Sequence, residues 1–140
     1  MTPDPTPTAT PTATIAPDAS APASQTLSAA EYTALTAAVL SSIEASADRW
    51  LEDSVIDIDA HRTGGLLELS LPNRSKLIVN TQPPLQELWL AAKSGGFHFK
   101  YADAQWRDTK DGREFFDVLS ICASAQSGQT LTFLPPVPLA

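Results

Sequence analysis

Apolar side chains recur every three or four residues in two parts of the chain, a spacing that places them along one face of an α-helix. Ser28 and Glu31 have the spacing of a capping box, which predicts the start of the first helix. Gly128 has the position of a C-terminal cap for the second. The apolar positions are Tyr32, Leu35, Val39, Ile43 and Trp50 in the first helix, and Phe115, Phe116, Leu119 and Cys122 in the second.

Between these helices apolar and polar residues alternate, which is typical of half-buried β-strands. In VIDIDA, residues 55–60, two isoleucines alternate with Asp57 and Asp59. Further strand-like segments follow, separated by turn residues: LLELSL (66–71), KLIVN (76–80), LQELWLAA (85–92), FHFKY (97–101) and the residues around Trp106. Because strands follow strands without helices between them, we predict an α+β fold, a two-layer sandwich with the N- and C-terminal helices on one face of an antiparallel sheet.

Composition divides the chain of 140 residues into a tail and one domain. Residues 1–26 are rich in Thr, Pro and Ala, and hold six of the twelve prolines and no Lys or Arg. Such a segment buries too little apolar surface to offset its ordering entropy, so we predict a disordered tail. We assign residues 27–134 to one domain and residues 135–140 to a short C-terminal tail. No apolar run is long enough for a transmembrane helix.

The net charge of −7 is concentrated in the N-terminal part of the chain. Residues 1–60 hold nine Asp and Glu against one basic residue, whereas residues 61–140 hold seven acids and eight bases. This distribution argues against nucleic acid, whose phosphates require basic side chains, and favours cations or a basic protein partner. The single cysteine, Cys122, excludes an internal disulfide and a cysteine-based zinc or iron–sulfur site. That is consistent with a cytoplasmic protein.

Six carboxylates follow one another closely at the end of the first helix and in the first strand. Carboxylate oxygens without thiol or imidazole suit hard cations, and the lack of a fixed ligand spacing predicts weak and labile binding. We expect these side chains to form one ridge if the strand runs beside the helix end. The alternative is a solvated acidic face that binds no metal. The residues are Glu44, Asp48, Glu52, Asp53, Asp57 and Asp59.

Trp89 is the candidate for an exposed position on the sheet. Leu88 and Leu90 share one face of their strand, so Trp89 and Glu87 point to the other face. A tryptophan on an uncovered face is a candidate contact residue, because tryptophan dominates binding hot spots. The alternative is a core tryptophan covered by the C-terminal segment. The position of His98 in the alternation places it on the same face as Trp89.

The sequence contains no catalytic triad and no phosphate-binding loop, so we expect that the protein is not an enzyme.

Several motifs together resemble the bacterial form of the frataxin family over residues 28–133. They are the pattern Ser-Lys-Leu-Ile-Val-Asn-x-Gln-x-Pro from residue 75, then Leu-Trp-Leu-Ala from 88, Gly-Gly-Phe-His-Phe from 95, and Trp106. The resemblance implies a frataxin-like sandwich that binds iron weakly through the acidic residues named above. It also implies docking onto the cysteine desulfurase and the iron–sulfur scaffold protein, with Asn80, Gln82 and Trp89 at the contact positions.

The resemblance implies an iron-binding regulator of iron–sulfur cluster assembly, without an organic cofactor and without nucleic-acid or membrane partners. It further implies a monomer that iron can drive into oligomers. An iron-storing or ferroxidase-type iron chaperone is one alternative, and a generic interaction module is another. The sequence departs from the family where Glu87 replaces a frequent glutamine two residues before the tryptophan. It also departs where Ala45 and Arg49 replace frequent acids in the first helix.

Overall fold

The computed structural model describes residues 26–136, so most of the predicted N-terminal tail and the last four residues lie outside the described part of the chain. Six strands form one antiparallel sheet in the order β1-β2-β3-β4-β5-β6, each paired with its neighbour in sequence. The elements are α1 (Ala29–Glu52), β1 (Asp59–Thr63), β2 (Leu66–Ser70), β3 (Lys76–Gln82), a 3₁₀ turn (Pro83–Leu85), β4 (Glu87–Ala92), β5 (Gly95–Ala102), β6 (Gln105–Asp108) and α2 (Phe115–Ser127). Among the described residues no helix is long and apolar enough to span a membrane.

The helix boundaries follow the predicted capping signals. The Ser28 hydroxyl accepts the N–H of Glu31 at 3.0 Å, and the Glu31 carboxylate accepts the N–H of Ser28 at 2.8 Å. This reciprocal pair is the predicted capping box. The Glu114 carboxylate accepts N–H groups of the first turn of α2. Gly128 ends that helix at φ 80°, a left-handed conformation that glycine adopts without strain.

Both helices cover the same face of the sheet, which confirms the predicted α+β sandwich. Side chains that alternate along the strands are fully buried on this face, and they pack against the apolar faces of α1 and α2. Cys122 lies in this core, as predicted, with 6% of its surface exposed. The buried strand residues include Leu67, Leu69, Leu77, Val79, Leu88, Leu90 and Phe99, and the helices contribute Val39, Leu40, Ile43, Phe115 and Leu119.

The first strand begins later than the alternation of VIDIDA predicts. The N–H of Val55 donates to the carbonyl of Trp50 at 2.8 Å, and Ser54 has a positive φ of 57°. These two features close the end of α1 and reverse the chain, so pairing with β2 starts only at Asp59. The predicted faces are nevertheless correct, because Ile58 is buried while Asp57 and Asp59 are exposed.

Tyr32 connects α1 to the middle of the sheet. Its hydroxyl donates to the backbone carbonyl of Glu87 at 2.6 Å and accepts the backbone N–H of Gln82 at 2.8 Å. Next to it, Gln86 lies at φ 52°, and its side-chain oxygen accepts the N–H of Leu27 at 2.9 Å. The β3–β4 connection is therefore fixed to the start of the first helix by hydrogen bonds from both sides.

The C-terminal segment packs against the helices. Phe133 meets Trp50 edge to face with ring centroids 4.8 Å apart, and its backbone N–H donates to the Ser120 hydroxyl at 2.9 Å. The backbone N–H of Leu131 likewise donates to the Ser124 hydroxyl, at 2.8 Å. This segment therefore covers Trp50 and is not the cover over Trp89 that the alternative interpretation required.

Replacing Tyr32 by phenylalanine should lower the free energy of unfolding by about 1–3 kcal/mol, because a backbone carbonyl and an amide lose their partner. Burial raises the pKa of the Tyr32 phenol, so the folded state holds its proton more tightly than the unfolded state does. The stabilisation is complete below pH of about 10 and is lost as the pH rises above that value. Urea denaturation of the two proteins between pH 7 and 11 measures both effects, and Tyr32→Phe should lose less stability than the parent above pH 10.

Tyr101→Phe is the matched control, because the Tyr101 hydroxyl forms no hydrogen bond within residues 26–136. Its free energy of unfolding should change by less than about 0.5 kcal/mol. Equal losses in the two variants would show that the Tyr32 hydroxyl does not hold the layers together.

Candidate functional site

The second face of the sheet carries no helix in the described part of the chain, and we call it the open face. Two rows of cross-strand neighbours cross its centre. In one row Trp89 on β4 lies between Asn80 on β3 and His98 on β5. In the other row Glu87 on β4 lies between Gln82 on β3 and Lys100 on β5. The open face thus brings together the three residues predicted to contact a partner.

Trp89 lies on the open face and only part of its surface is buried, so the predicted face is confirmed and the core alternative is wrong. Its indole ring is stacked on the imidazole of His98, with centroids 4.2 Å apart and ring planes 6° apart. Its Nε1–H donates to Oε1 of Glu87 at 2.7 Å. Part of the large apolar ring is therefore open to the outside while its one polar group is satisfied within the protein.

Glu87 is the least exposed charged side chain of this group, at 12%. Nδ1 of His98 and Nζ of Lys100 each lie 3.7 Å from its carboxylate oxygens, beyond direct hydrogen-bond distance. Nζ of Lys100 donates instead to the carbonyl of Leu85 at 3.1 Å. The shortest polar contact of the Glu87 carboxylate is thus the hydrogen bond from Trp89.

Asn80 and Gln82 are half-buried on the same face. Within residues 26–136 neither side-chain amide forms a hydrogen bond, whereas the backbones of both residues pair in the sheet and the N–H of Gln82 donates to the Tyr32 hydroxyl. Each amide can both donate and accept. They are therefore available to an external partner, and their contact role remains a prediction.

An apolar depression lies beside Trp89, and no pattern in the sequence predicts it. It has a volume of about 180 Å³, and Ile78, Ala91 and Gly96 contribute its apolar part. Leu66, the cross-strand neighbour of Asn80, is a further apolar side chain with 36% of its surface exposed. The sequence shows the alternation within each strand but not the pairing between strands, and this pairing places Ile78 beside Ala91.

The acidic residues lie in the second half of α1, in the segment that follows it and at the start of the edge strand β1, and one of them is paired with an arginine. Nη1 of Arg62 on β1 lies 2.9 Å from Oε1 of Glu44 and 3.1 Å from the hydroxyl of Ser41. The predicted ridge residues Asp48, Glu52, Asp53, Asp57 and Asp59 are exposed. Among the described residues, no three His, Cys, Asp or Glu side chains come together to hold a metal ion. The metal role of the six carboxylates therefore remains a prediction, and Glu44 is the carboxylate least available to a metal ion because Arg62 pairs with it.

Residues 25–129 match the frataxin-like domain family. The chain belongs to this family. It is 51% identical over 109 residues to the iron–sulfur cluster assembly protein CyaY of Polaromonas sp. (strain JS666), covering 78% of this chain and 94% of the relative. It is 48% identical over 107 residues to the protein of the same name from Paraburkholderia xenovorans, covering 76% of this chain and 98% of the relative.

Solved frataxin structures agree with the fold described above. The frataxin from Psychromonas ingrahamii superposes with a TM-score of 0.68 at 34% identity, covering 77% of this chain and 99% of that one. Yeast frataxin superposes with a TM-score of 0.59 at 22% identity, covering 68% of this chain and 79% of that one, and shares the fold. The resemblance inferred from the sequence motifs is thus confirmed for the family and for the fold.

Trp89→Ala should leave the domain folded and cost about 1 kcal/mol of stability, because the ring contacts mainly His98 on an uncovered face. Trp106→Ala, at a position with 4% of its surface exposed, should cost about 3–5 kcal/mol. Thermal and urea denaturation of both variants measure the difference. A loss at Trp89 as large as the loss at Trp106 would show that Trp89 belongs to the core.

Proposed function

We propose that this protein is an accessory protein of iron–sulfur cluster assembly that docks onto the cysteine desulfurase and its scaffold through the open face. The observation that carries this proposal is Trp89, which the fold holds half-buried on a sheet face that no described element covers. Relatives about half identical over most of this chain are named iron–sulfur cluster assembly proteins, which supports the pathway.

The chemistry of the open face fits a protein partner. A stacked aromatic ring contributes a large apolar contact area at a low cost in side-chain entropy. The apolar depression beside it adds a recess of about 180 Å³ for a partner side chain. Asn80 and Gln82 supply amides that can fix the register of the contact. This combination of one aromatic anchor, one recess and neutral polar groups is typical of the centre of an interface.

The exposed acids at the end of α1, in the segment that follows it and at the start of β1 supply the long-range part of the encounter. Charges on the rim of an interface raise the association rate by steering a partner of opposite charge, and salt weakens this effect. We infer that they steer a basic surface of the desulfurase. They can also bind ferrous or ferric iron, since their oxygen ligands suit hard cations. Such binding is weak and labile, because no three of the described ligands are preassembled.

An iron-storing or ferroxidase role finds no supporting observation within residues 26–136. A ferroxidase centre needs carboxylates and histidines that converge on a pair of metal ions. The two histidines of this protein lie on β1 and β5, and His98 is stacked on Trp89. We therefore propose the assembly role alone, acting through binding to the desulfurase and scaffold. The direct test is cluster formation by purified desulfurase and scaffold, with and without this protein and ferrous iron.

Trp89→Ala and the double charge reversal Asp57→Lys/Asp59→Lys should weaken docking in different ways. Loss of the anchor should raise the dissociation rate by a factor of about 30, which corresponds to a hot-spot loss of about 2 kcal/mol. Charge reversal should lower the association rate and flatten its dependence on salt. Surface-binding kinetics against the purified desulfurase–scaffold complex, between 50 and 300 mM salt, separate the two effects.

The control for charge is Asp103→Lys/Asp117→Lys, which changes the net charge equally at exposed positions away from the acidic edge. It should leave the association rate within a factor of about two of the parent. If Trp89→Ala folds normally while binding and cluster formation keep their parental rates, the docking role is wrong.

Co²⁺, used as a paramagnetic surrogate for iron, should first broaden the NMR signals of Asp48, Asp57 and Asp59, and only later those of His61 and His98. Glu44 should respond weakly in the parent protein, because Arg62 already occupies its carboxylate. In Arg62→Ala the Glu44 signal should join the first group. Earliest broadening at the histidines would contradict the oxygen-ligand assignment.

A further inference from the structure

We propose that Glu87 is a positioning residue for Trp89, which fixes the orientation of the indole before a partner arrives. The proposal rests on the docking role of Trp89 proposed above. It concerns a position where the sequence departs from the usual glutamine of the family. The structure places an acidic side chain there without losing the contact to the indole, since a carboxylate oxygen accepts the Nε1–H at 2.7 Å.

Two contacts define the orientation of the Trp89 ring. Stacking on His98, with ring planes 6° apart, fixes the plane of the indole. It does not fix which edge of the ring points along the strand, because the outer side-chain torsion of an aromatic residue has two broad minima. The hydrogen bond to Glu87 distinguishes these minima, since only one of them brings Nε1 to the carboxylate.

Glu87 can hold the indole because its own position is fixed from the core. Its backbone carbonyl accepts the hydroxyl of Tyr32, which belongs to α1 on the other face of the sheet. Its side chain is 12% exposed and lies between His98 and Lys100. A continuous set of contacts thus runs from the first helix through Glu87 to the surface of Trp89.

This positioning has a consequence for binding. A contact residue that is already in its bound orientation loses less conformational freedom when the partner docks, and wrong orientations that would block the partner are not populated. Removing the acceptor should therefore raise the dissociation rate by a factor of about 3–10 without removing the indole itself. A glutamine should keep the effect, because its amide oxygen can accept the same N–H.

The first experiment needs no partner. In ¹H–¹⁵N spectra, the Trp89 indole N–H, assigned by its loss in Trp89→Phe, should exchange with solvent faster in Glu87→Ala and show weaker nuclear Overhauser effects to His98. Glu87→Gln should resemble the parent. The melting temperature and the indole signals of Trp50 and Trp106 should stay unchanged in both variants. An unchanged Trp89 signal in Glu87→Ala would overturn the proposal.

The second experiment is a double-mutant cycle against the purified desulfurase–scaffold complex. Trp89→Phe keeps an aromatic ring but has no N–H, so Glu87→Ala should raise the dissociation rate in the parent and change it by less than about twofold in Trp89→Phe. Equal effects in both backgrounds would overturn the proposal, because Glu87 would then contact the partner directly. A loss in Glu87→Gln as large as that in Glu87→Ala would overturn it as well.

Failure of the proposed docking role gives a different result. In that case Trp89→Ala leaves binding unchanged, while the indole exchange of Glu87→Ala still reports whether Glu87 positions the ring. The two proposals are therefore judged by separate measurements.

Discussion

A six-stranded sheet has two faces, and the two helices of this chain cover one of them. The alternation along β2 to β5 sends one set of side chains into a fully apolar core and leaves the other set without a covering layer within residues 26–136. The proposed contact surface depends on this division. Trp89 is exposed because its neighbours Leu88 and Leu90 are required inside, and strict alternation leaves no other direction for it.

Hydrogen bonds connect the helix layer to the backbone of the sheet at the β3–β4 connection. Tyr32 binds backbone groups of both strands, and Gln86 binds the backbone just before α1. The contact surface is therefore built on rigid elements, which preserves its geometry when a partner arrives. The acidic edge is different, since its exposed carboxylates act over distance and need no fixed arrangement. Arg62 removes Glu44 from that set by pairing with it.

Local patterns in the sequence were sufficient for the helices, the strand faces and the side of the sheet that Trp89 occupies, because caps and periodicity act over a few residues. They failed where the outcome depends on distant parts of the chain. The start of β1 moved to Asp59 because the end of α1 closes through Val55. The pairing of Arg62 with Glu44 joins residues 18 positions apart, and the contact of Gln86 with Leu27 joins residues 59 apart. The indole acceptor could not be predicted either, because alternation places Glu87 on the face of Trp89 but does not show that its carboxylate accepts the Nε1–H.

The three tryptophans allow one direct measurement of the open face as the docking surface. Trp50 and Trp106 are buried in the core, whereas Trp89 lies on the open face. In a cross-saturation experiment, deuterated and ¹⁵N-labelled protein is mixed with protonated desulfurase–scaffold complex, and the intensities of the three indole N–H signals are followed. We expect saturation of the partner to reduce the Trp89 signal strongly and to leave those of Trp50 and Trp106 unchanged. Binding without any loss at Trp89 would contradict docking through this face.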